Sequence, residues 1–352
     1  MVRLGAMGDI LHALPAVTAL RLAHPDWTID WVVEPRWREL LAAGEIETPE
    51  SAASPNTTPA RPLVNRIHFA PAKDWGRRPL SPQTLRQIVQ LRSALRVCPY
   101  NAVLDLQGAV RSAAIGRLAG SLRLIGEADP RERAARWLFS ERVATQGAHV
   151  IEQDIELASA VAGDSLQAER PLLPVDSAAE RWCDELLASA PSRPAVLINP
   201  GAGWGAKRWP VERYALVAHA FVERGLHVFV NTGPGEEPLA EVIVNATAGA
   251  ATLLTPSLGR LIALTRRIAL CVAGDTGPLH LACALQRPVV GIYGPTDPSR
   301  NGPFGTRSKV LRSPLSHRDH TRNHATEAGL FTIHPEDVLA AADALLAQET
   351  VV

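Results

Sequence analysis

Asp275, Thr276, Gly277 and His280 stand between two apolar runs, Ile268 to Val272 and Val289 to Tyr293. Each run reads as a buried strand, and the residues between them as a helix with Pro278 in its first turn, so the stretch is a β-α-β unit with parallel strands. The AGDTG turn and the GPTDP turn, Gly294 to Pro298, then share the carboxyl edge of a sheet, where open α/β sheets bind ligands. That helix, Pro278 to Leu285, presents at its N-terminus, around Asp275, Thr276 and Gly277, free N–H groups and the positive end of its dipole, which suit phosphate. The same residues also suit helix capping by Asp275 or Thr276, with His280 a surface histidine. The second loop on the same edge, which capping does not require, favours a ligand site.

A second set follows the apolar run Ala195 to Asn199. Gly201, Gly203 and Ala206 match the spacing of a dinucleotide-binding turn, but Lys207-Arg208-Trp209 precede the helix, which Pro210 opens, and the next strand ends in Asn231-Thr232 and not in an acid. What survives is a Gly-rich phosphate loop with Lys207 beside it. Glu236 and Glu237 fall in a helical first turn, where they suit the dipole or could hold ribose hydroxyls. Near the start, a short strand from Val2 to Leu4 leads through Gly5 and Gly8 to Asp9, expected at a helix N-cap. The helix buries Ile10, Leu11, Leu14, Val17 and Leu20 and is expected to bend at Pro15. Lys73, Arg77 and Arg78 lie in a basic, Trp-containing loop that is either a solvated face or an anion contact. Arg111 sits in the first turn of a helix that follows the strand Ala102 to Leu106. His317, His320 and His324 read as a solvated loop, since no carboxylate or cysteine framework accompanies them.

The elements around these residues alternate strand and helix in both halves of the chain, the pattern of an α/β protein with parallel sheets. At 352 residues, 46% of them hydrophobic, two domains with their own cores are expected. The proposed break lies in the linker Ala162 to Ser177, giving domains 1–170 and 171–334 and a final helix, 335–352, packing back on the first. Residues 43 to 63 are polar, Pro-rich and aperiodic, a surface excursion. Lys+Arg and Asp+Glu balance at 36 each, which removes any bulk electrostatic case for nucleic acid binding. Cys98, Cys183, Cys271 and Cys283 have no metal-site spacing and read as reduced residues. With no signal peptide and no apolar run of membrane-spanning length, a cytoplasmic protein is expected.

The motifs GAMGDILHALPA, DWVVE (Asp30 to Glu34), VLDLQGAVRSA (Val103 to Ala113), K-x-W-P (Lys207 to Pro210), GDTGPLHLACAL and YGPTDP occur in this order along nearly the whole chain. Together they resemble the heptosyltransferases of glycosyltransferase family 9. The resemblance implies a GT-B fold, two Rossmann-like domains facing a central cleft, with an acceptor held by the first and a nucleotide-sugar by the second. It implies inverting transfer of a heptose from ADP-L-glycero-D-manno-heptose to a Kdo-lipid A acceptor of the lipopolysaccharide inner core, without a required cofactor or a tightly bound metal. Asp9 would then be the general base, and Lys207 would neutralise charge on the leaving pyrophosphate. Asp275, Thr276, Gly277, His280 and Gly203 would hold the donor's phosphates and sugar, and Glu237, or Glu236 beside it, the ribose. Lys73, Arg77, Arg78, Arg111 and Arg131 would contact the anionic glycolipid acceptor at the inner face of the inner membrane. Relatives begin with several further strand residues and often carry Ser where Gly5 and Ala6 stand, so hydrogen bonds in this turn are expected from backbone. The alternatives are a family 9 transferase with another donor or acceptor, a nucleotide-sugar epimerase of the same fold, and a non-catalytic nucleotide-binding module.

Overall fold

A computed structural model describes residues 1–44, 57–188, 193–318 and 325–347. The chain divides into two compact units, Met1–Val175 and Asp176–Val352. The division falls within the linker, a few residues beyond the expected break at 170.

In the first unit the strands are β1 (Asp30–Val33), β2 (Arg66–Phe69), β3 (Val103–Leu104), β4 (Leu124–Glu127) and β5 (Glu141–Val143). The opening residues complete the sheet: Val2 bridges in parallel both to Val32 and to Asp105. Its N–H donates to the Leu104 carbonyl at 2.9 Å, and the Arg3 N–H donates to the Val32 carbonyl at 3.3 Å. The segment Met1 to Leu4 is therefore a short central strand between β1 and β3. With β1 paired to β2 and β3 to β4 to β5, all in parallel, the order is β2-β1-(1–4)-β3-β4-β5. The helices are α1 (Met7–Ala23), α2 (Ala72–Arg77), α3 (Pro82–Leu95), α4 (Val110–Leu118) and α5 (Val150–Ala162). α1 is buried nearly throughout, runs through Pro15 and packs on α5. Val2, Val32, Trp75, Leu91, Val103, Ile115, Leu124 and Phe139 make the core beside the central strands.

The second unit opens with α6 (Ser177–Ala188) and contains β6 (Ala195–Asn199), β7 (His227–Asn231), β8 (Thr252–Leu254), β9 (Leu270–Gly274), β10 (Val289–Tyr293) and β11 (Ser308–Arg312). Its helices are α7 (Val211–Glu223), α8 (Glu237–Ala246), α9 (Leu258–Thr265), α10 (Gly277–Ala284), α11 (Pro298–Asn301) and α12 (Pro335–Leu346). The sheet is parallel with order β8-β7-β6-β9-β10-β11. Numbered from its first strand this is 3-2-1-4-5-6, the doubly wound order, and the first unit has the same order when Met1–Leu4 is counted first. Every residue of β6, β9 and β10 is buried, as strands covered on both faces require.

The final helix corrects an expectation. α12 joins the core of the second unit, burying Val338, Ala341, Ala342 and Leu345 with Trp209, Tyr214 and Phe221. It packs on α7, β10 and β11. Trp209 locks the segment before it, donating from Nε1 to the Ile333 carbonyl at 3.1 Å. A sheet of this order needs helices on both faces, and α12 supplies one of them. Among the described residues no helix is long and apolar enough to cross a membrane.

Candidate active site

In a 3-2-1-4-5-6 sheet the chain reverses between strands 1 and 4, and the loops leaving those two strands open a crevice at their carboxyl ends. In the second unit these are the loops after β6 and β9, and they bring Lys207 and Asp275 together. Lys207 ends a short 3-10 turn, Gly205–Lys207, and α7 begins only after Pro210. That geometry is incompatible with a dinucleotide turn, in which the helix opens inside the glycines.

The Lys207 Nζ donates to Asp275 Oδ2, and Asp275 Oδ1 lies 2.9 Å from His280 Nε2. The Lys207 ammonium also stands 4.3 Å from the centre of the Trp204 ring. Asp275 and His280 are both buried, so His280 is a partner inside the site and not a surface histidine. Burial alone would raise the Asp275 carboxyl, but the His280 hydrogen bond and the Lys207 ammonium outweigh it and hold the acid well below the usual carboxylate range. Thr276 is the N-cap residue of α10, yet no side chain caps that helix. Its hydroxyl donates to the Gly274 carbonyl at 3.2 Å instead. The capping alternative therefore does not hold: the Thr276 side chain makes no cap hydrogen bond to the start of α10, which stands next to a fixed cation. This arrangement can hold a diphosphate and offset charge that grows on it.

The two glutamates separate. Glu236 accepts from the Gly233 N–H at 3.1 Å and lies 3.8 Å from the Arg208 guanidinium. Its carboxylate lies over Gly201, where an added Cβ would come within 2.0 Å of Glu236 Oε2. Glu237 starts α8 with its side chain partly exposed. The tight glycine of the loop is thus Gly201, whereas a Cβ at the exposed Gly203 would meet nothing within 4 Å. Asn199 and Asn231, at the ends of β6 and β7, support the loop from below. Asn231 donates to Asn199 at 2.6 Å, and Asn199 to the Gly201 carbonyl at 3.1 Å. A buried strand that ends in Asn was the available signal for this pair.

The first unit repeats the arrangement with other chemistry. Asp9 is the third residue of α1, not its N-cap, which is Ala6. Its Oδ2 accepts from the Ala6 N–H at 3.0 Å, and Oδ1 faces the Arg3 guanidinium at 3.9 Å. Arg3 is buried and also donates through Nε to the Asp9 carbonyl at 3.0 Å. From the loop after β3, Gln107 accepts from the Leu4 N–H and donates to the Gly5 carbonyl, both at 3.0 Å. Gln107 in turn is set by Asp105, whose Oδ1 accepts from the Gln107 and Gly108 N–H groups at 2.8 and 2.9 Å. The turn is thus held by backbone groups together with the Gln107 and Asp9 side chains, and not by backbone alone as the sequence suggests. Sequence reasoning missed Arg3 and Gln107, because one sits in a strand too short to pattern and the other reads as an ordinary turn residue.

The basic residues divide into two groups on this carboxyl edge. Lys73 and Arg77 lie on α2, Arg78 ends it, and Arg111 donates to the Ala72 carbonyl at 2.9 Å, so these four converge. Arg131 stands apart after β4, its backbone against Gly108. Gly108 has φ +63°, and an added Cβ would meet the Arg131 nitrogen at 3.1 Å. All five are exposed. Among the described residues no group of three or more His, Cys, Asp or Glu side chains could hold a metal ion. His317 is exposed beside Arg318, which pairs with Asp297, while His320 and His324 lie outside the described residues.

Beneath the Asp9 turn, α5 buries Asp154, and burial pushes its carboxyl up to about 7 against the pull of Arg3. Such an acid keeps its proton in the folded chain where the unfolded chain, with a pKa near 3.9, has released it. Its contribution is therefore favourable in acid and is lost as pH rises through this window. Relative to Asp154→Asn, the wild type should lose up to about 4 kcal/mol of stability between about pH 4 and pH 7, read by urea unfolding. Parallel pH profiles would contradict this.

Two parallel sheets of doubly wound order, one with a phosphate-suited edge and one with a carboxylate turn beside arginines, fit the GT-B fold. The chain belongs to glycosyltransferase family 9 (heptosyltransferase), whose family model matches residues 88–330. It is 28% identical over 316 residues to lipopolysaccharide heptosyltransferase 1 of Pseudomonas aeruginosa, covering 88% of this chain and 82% of that one. It is also similar to a solved structure of the E. coli heptosyltransferase WaaC with ADP-2-deoxy-2-fluoro heptose, with TM-score 0.74, 25% identity and coverage of 97% and 98%. A family 9 glycosyltransferase from Veillonella parvula shares the fold, with TM-score 0.79, 19% identity and coverage of 99% and 96%.

Proposed function

We propose that this enzyme transfers a heptose from ADP-L-glycero-D-manno-heptose, with inversion, to a Kdo-lipid A acceptor of the lipopolysaccharide inner core. The observation that carries the reading is the Lys207–Asp275–His280 cluster beside the uncapped start of α10, at the switch point of the second sheet. The names and bound ligand of the relatives supply the sugar and the nucleotide. Asp9 takes the proton from the acceptor hydroxyl as that oxygen attacks the anomeric carbon. The bond from that carbon to the β-phosphate oxygen breaks, and its electron pair leaves with ADP. Lys207 and the α10 N–H groups offset the charge that ADP gains. Thr276, Gly277 and His280 hold the donor with Asp275, the main chain at Gly203 approaches the phosphates, and Glu237 or Glu236 binds the ribose. Lys73, Arg77, Arg78, Arg111 and Arg131 receive the acceptor's carboxylates and phosphates. The reaction requires no metal in this account, and it takes place on the cytoplasmic face of the inner membrane, with the enzyme as a peripheral protein.

A thermal-shift panel of ADP-, UDP-, GDP- and CDP-sugars tests the donor. ADP-heptose is expected to raise Tm most, and stabilisation by UDP-sugars alone would refute the reading and favour epimerase-type chemistry.

A further inference from the structure

The chain balances its charges as a whole, yet from Trp75 to Leu104 it carries five arginines (Arg77, Arg78, Arg86, Arg92 and Arg96) and no Asp, Glu or Lys. α3 lies in the middle of this stretch. Its inner face buries Thr84, Leu91 and Leu95, and its Ser81 side chain caps the start, so the helix is held firmly from one side. The outer face presents Leu85 and Val89, one helical turn apart, at 51% and 61% exposure. Arg86 and Arg92 flank them, also exposed. Leu80 and Val97, beyond the two ends of the helix, are exposed at 85% and 75%. The neighbouring α4 adds Arg111 and Arg117 and likewise has no acid. A soluble surface normally intersperses both signs of charge and keeps large aliphatic residues scattered. Here aliphatic residues at i, i+4 spacing stand on a helix whose charged residues are all cations, with the nearest acid in sequence, Asp74, already paired with Arg77; this is the pattern of a helix that lies on an anionic bilayer.

We propose that the outer face of α3, centred on Leu85, Val89, Arg86 and Arg92, is the surface by which the enzyme docks on an anionic phospholipid bilayer. Charge complementarity selects this occupant. So does continuity, since the face follows directly on Arg77 and Arg78, where the acceptor's anionic head is read to bind while its acyl chains stay in the membrane. The inference rests on that reading of the acceptor as a bilayer-embedded glycolipid. Leucine and valine enter the interface between headgroups and chains, and the arginines keep their guanidinium groups among lipid phosphates.

The test is co-sedimentation of the full chain with vesicles of phosphatidylcholine alone or mixed with phosphatidylglycerol, at low and high salt. In parallel, heptose transfer is measured to a soluble acceptor fragment without acyl chains. The wild type is expected to bind the anionic vesicles preferentially. Arg86→Gln/Arg92→Gln should lower that binding about 25-fold at low salt, about fivefold per arginine. Leu85→Gln/Val89→Gln should lower it about tenfold with little dependence on salt. Both variants should melt like the wild type and transfer to the soluble fragment at the wild-type rate. Equal binding of all three proteins, or no preference for anionic vesicles, would overturn the assignment. So would wild-type self-association without vesicles that the substitutions abolish, since a second copy would then cover the face. Failure of transfer to the soluble fragment by the wild type would count against the proposed reaction and leave the vesicle result to judge the surface.

Discussion

Asp9→Asn is expected to lower kcat for heptose transfer by about 10²- to 10⁴-fold, the range for loss of a positioned general base, while ADP-heptose affinity stays within about twofold. The asparagine keeps the shape of the side chain and one carbonyl oxygen to accept from the Ala6 N–H, so the turn survives. What is lost is the charge that faces Arg3 and the second oxygen that would take a proton. Because the groups proposed to bind the donor all reside in the other unit, binding and chemistry should separate cleanly in this variant. Isothermal titration with ADP-heptose and single-turnover transfer measure the two halves. A non-catalytic nucleotide-binding module would instead show unchanged behaviour in both.

Lys207→Met is the second large effect, and it should appear in stability as well as rate. In the wild type the Lys207 ammonium and His280 together hold the buried Asp275 ionised. Removing one partner of a buried pair costs about 3–5 kcal/mol, and the remaining His280 hydrogen bond should keep this case at the low end. The pH dependence follows from the depressed pKa of Asp275. Its stabilisation is fully present above the unfolded value near 4 and is lost as pH falls through the lower folded value. The methionine variant should therefore lose stability at a less acidic pH than the wild type. In turnover, the missing cation removes stabilisation of the departing ADP, an effect of about 10²- to 10³-fold on kcat. A variant with normal kcat and weaker donor binding only would assign Lys207 to ground-state binding.

The central strands were legible in the sequence because burial on both faces leaves continuous apolar runs. β6 and β10 fall where Ala195 to Asn199 and Val289 to Tyr293 predict them. Two of the edge strands were not: β5 is Glu-Arg-Val and β11 is Ser-Lys-Val-Leu-Arg, neither fully buried nor patterned. In the sequence α2 looks like a loop, since six residues that include Gly76 carry no helical period. Tertiary contacts fix it, with Arg111 on the Ala72 carbonyl and Glu34 accepting from the Lys73 N–H at 3.2 Å. Candidate residues stood out in the sequence where chemistry and turn signals coincide, as at Asp275 and Lys207, which the fold brings together. Supporting residues did not: Arg3, Gln107, Asn199 and Gly201 are set by contacts that only the folded turns reveal. Glu236 and Glu237 differ by one residue, and only the helix start separates a carboxylate over Gly201 from one on the first turn of α8.

The most direct measurement is mass spectrometry of a Kdo-lipid A acceptor incubated with the enzyme and ADP-heptose, with released nucleotide quantified in the same reaction. The account predicts an acceptor heavier by one heptose and one ADP released per transfer. An unchanged acceptor, with the nucleotide-sugar intact or isomerised, would contradict it.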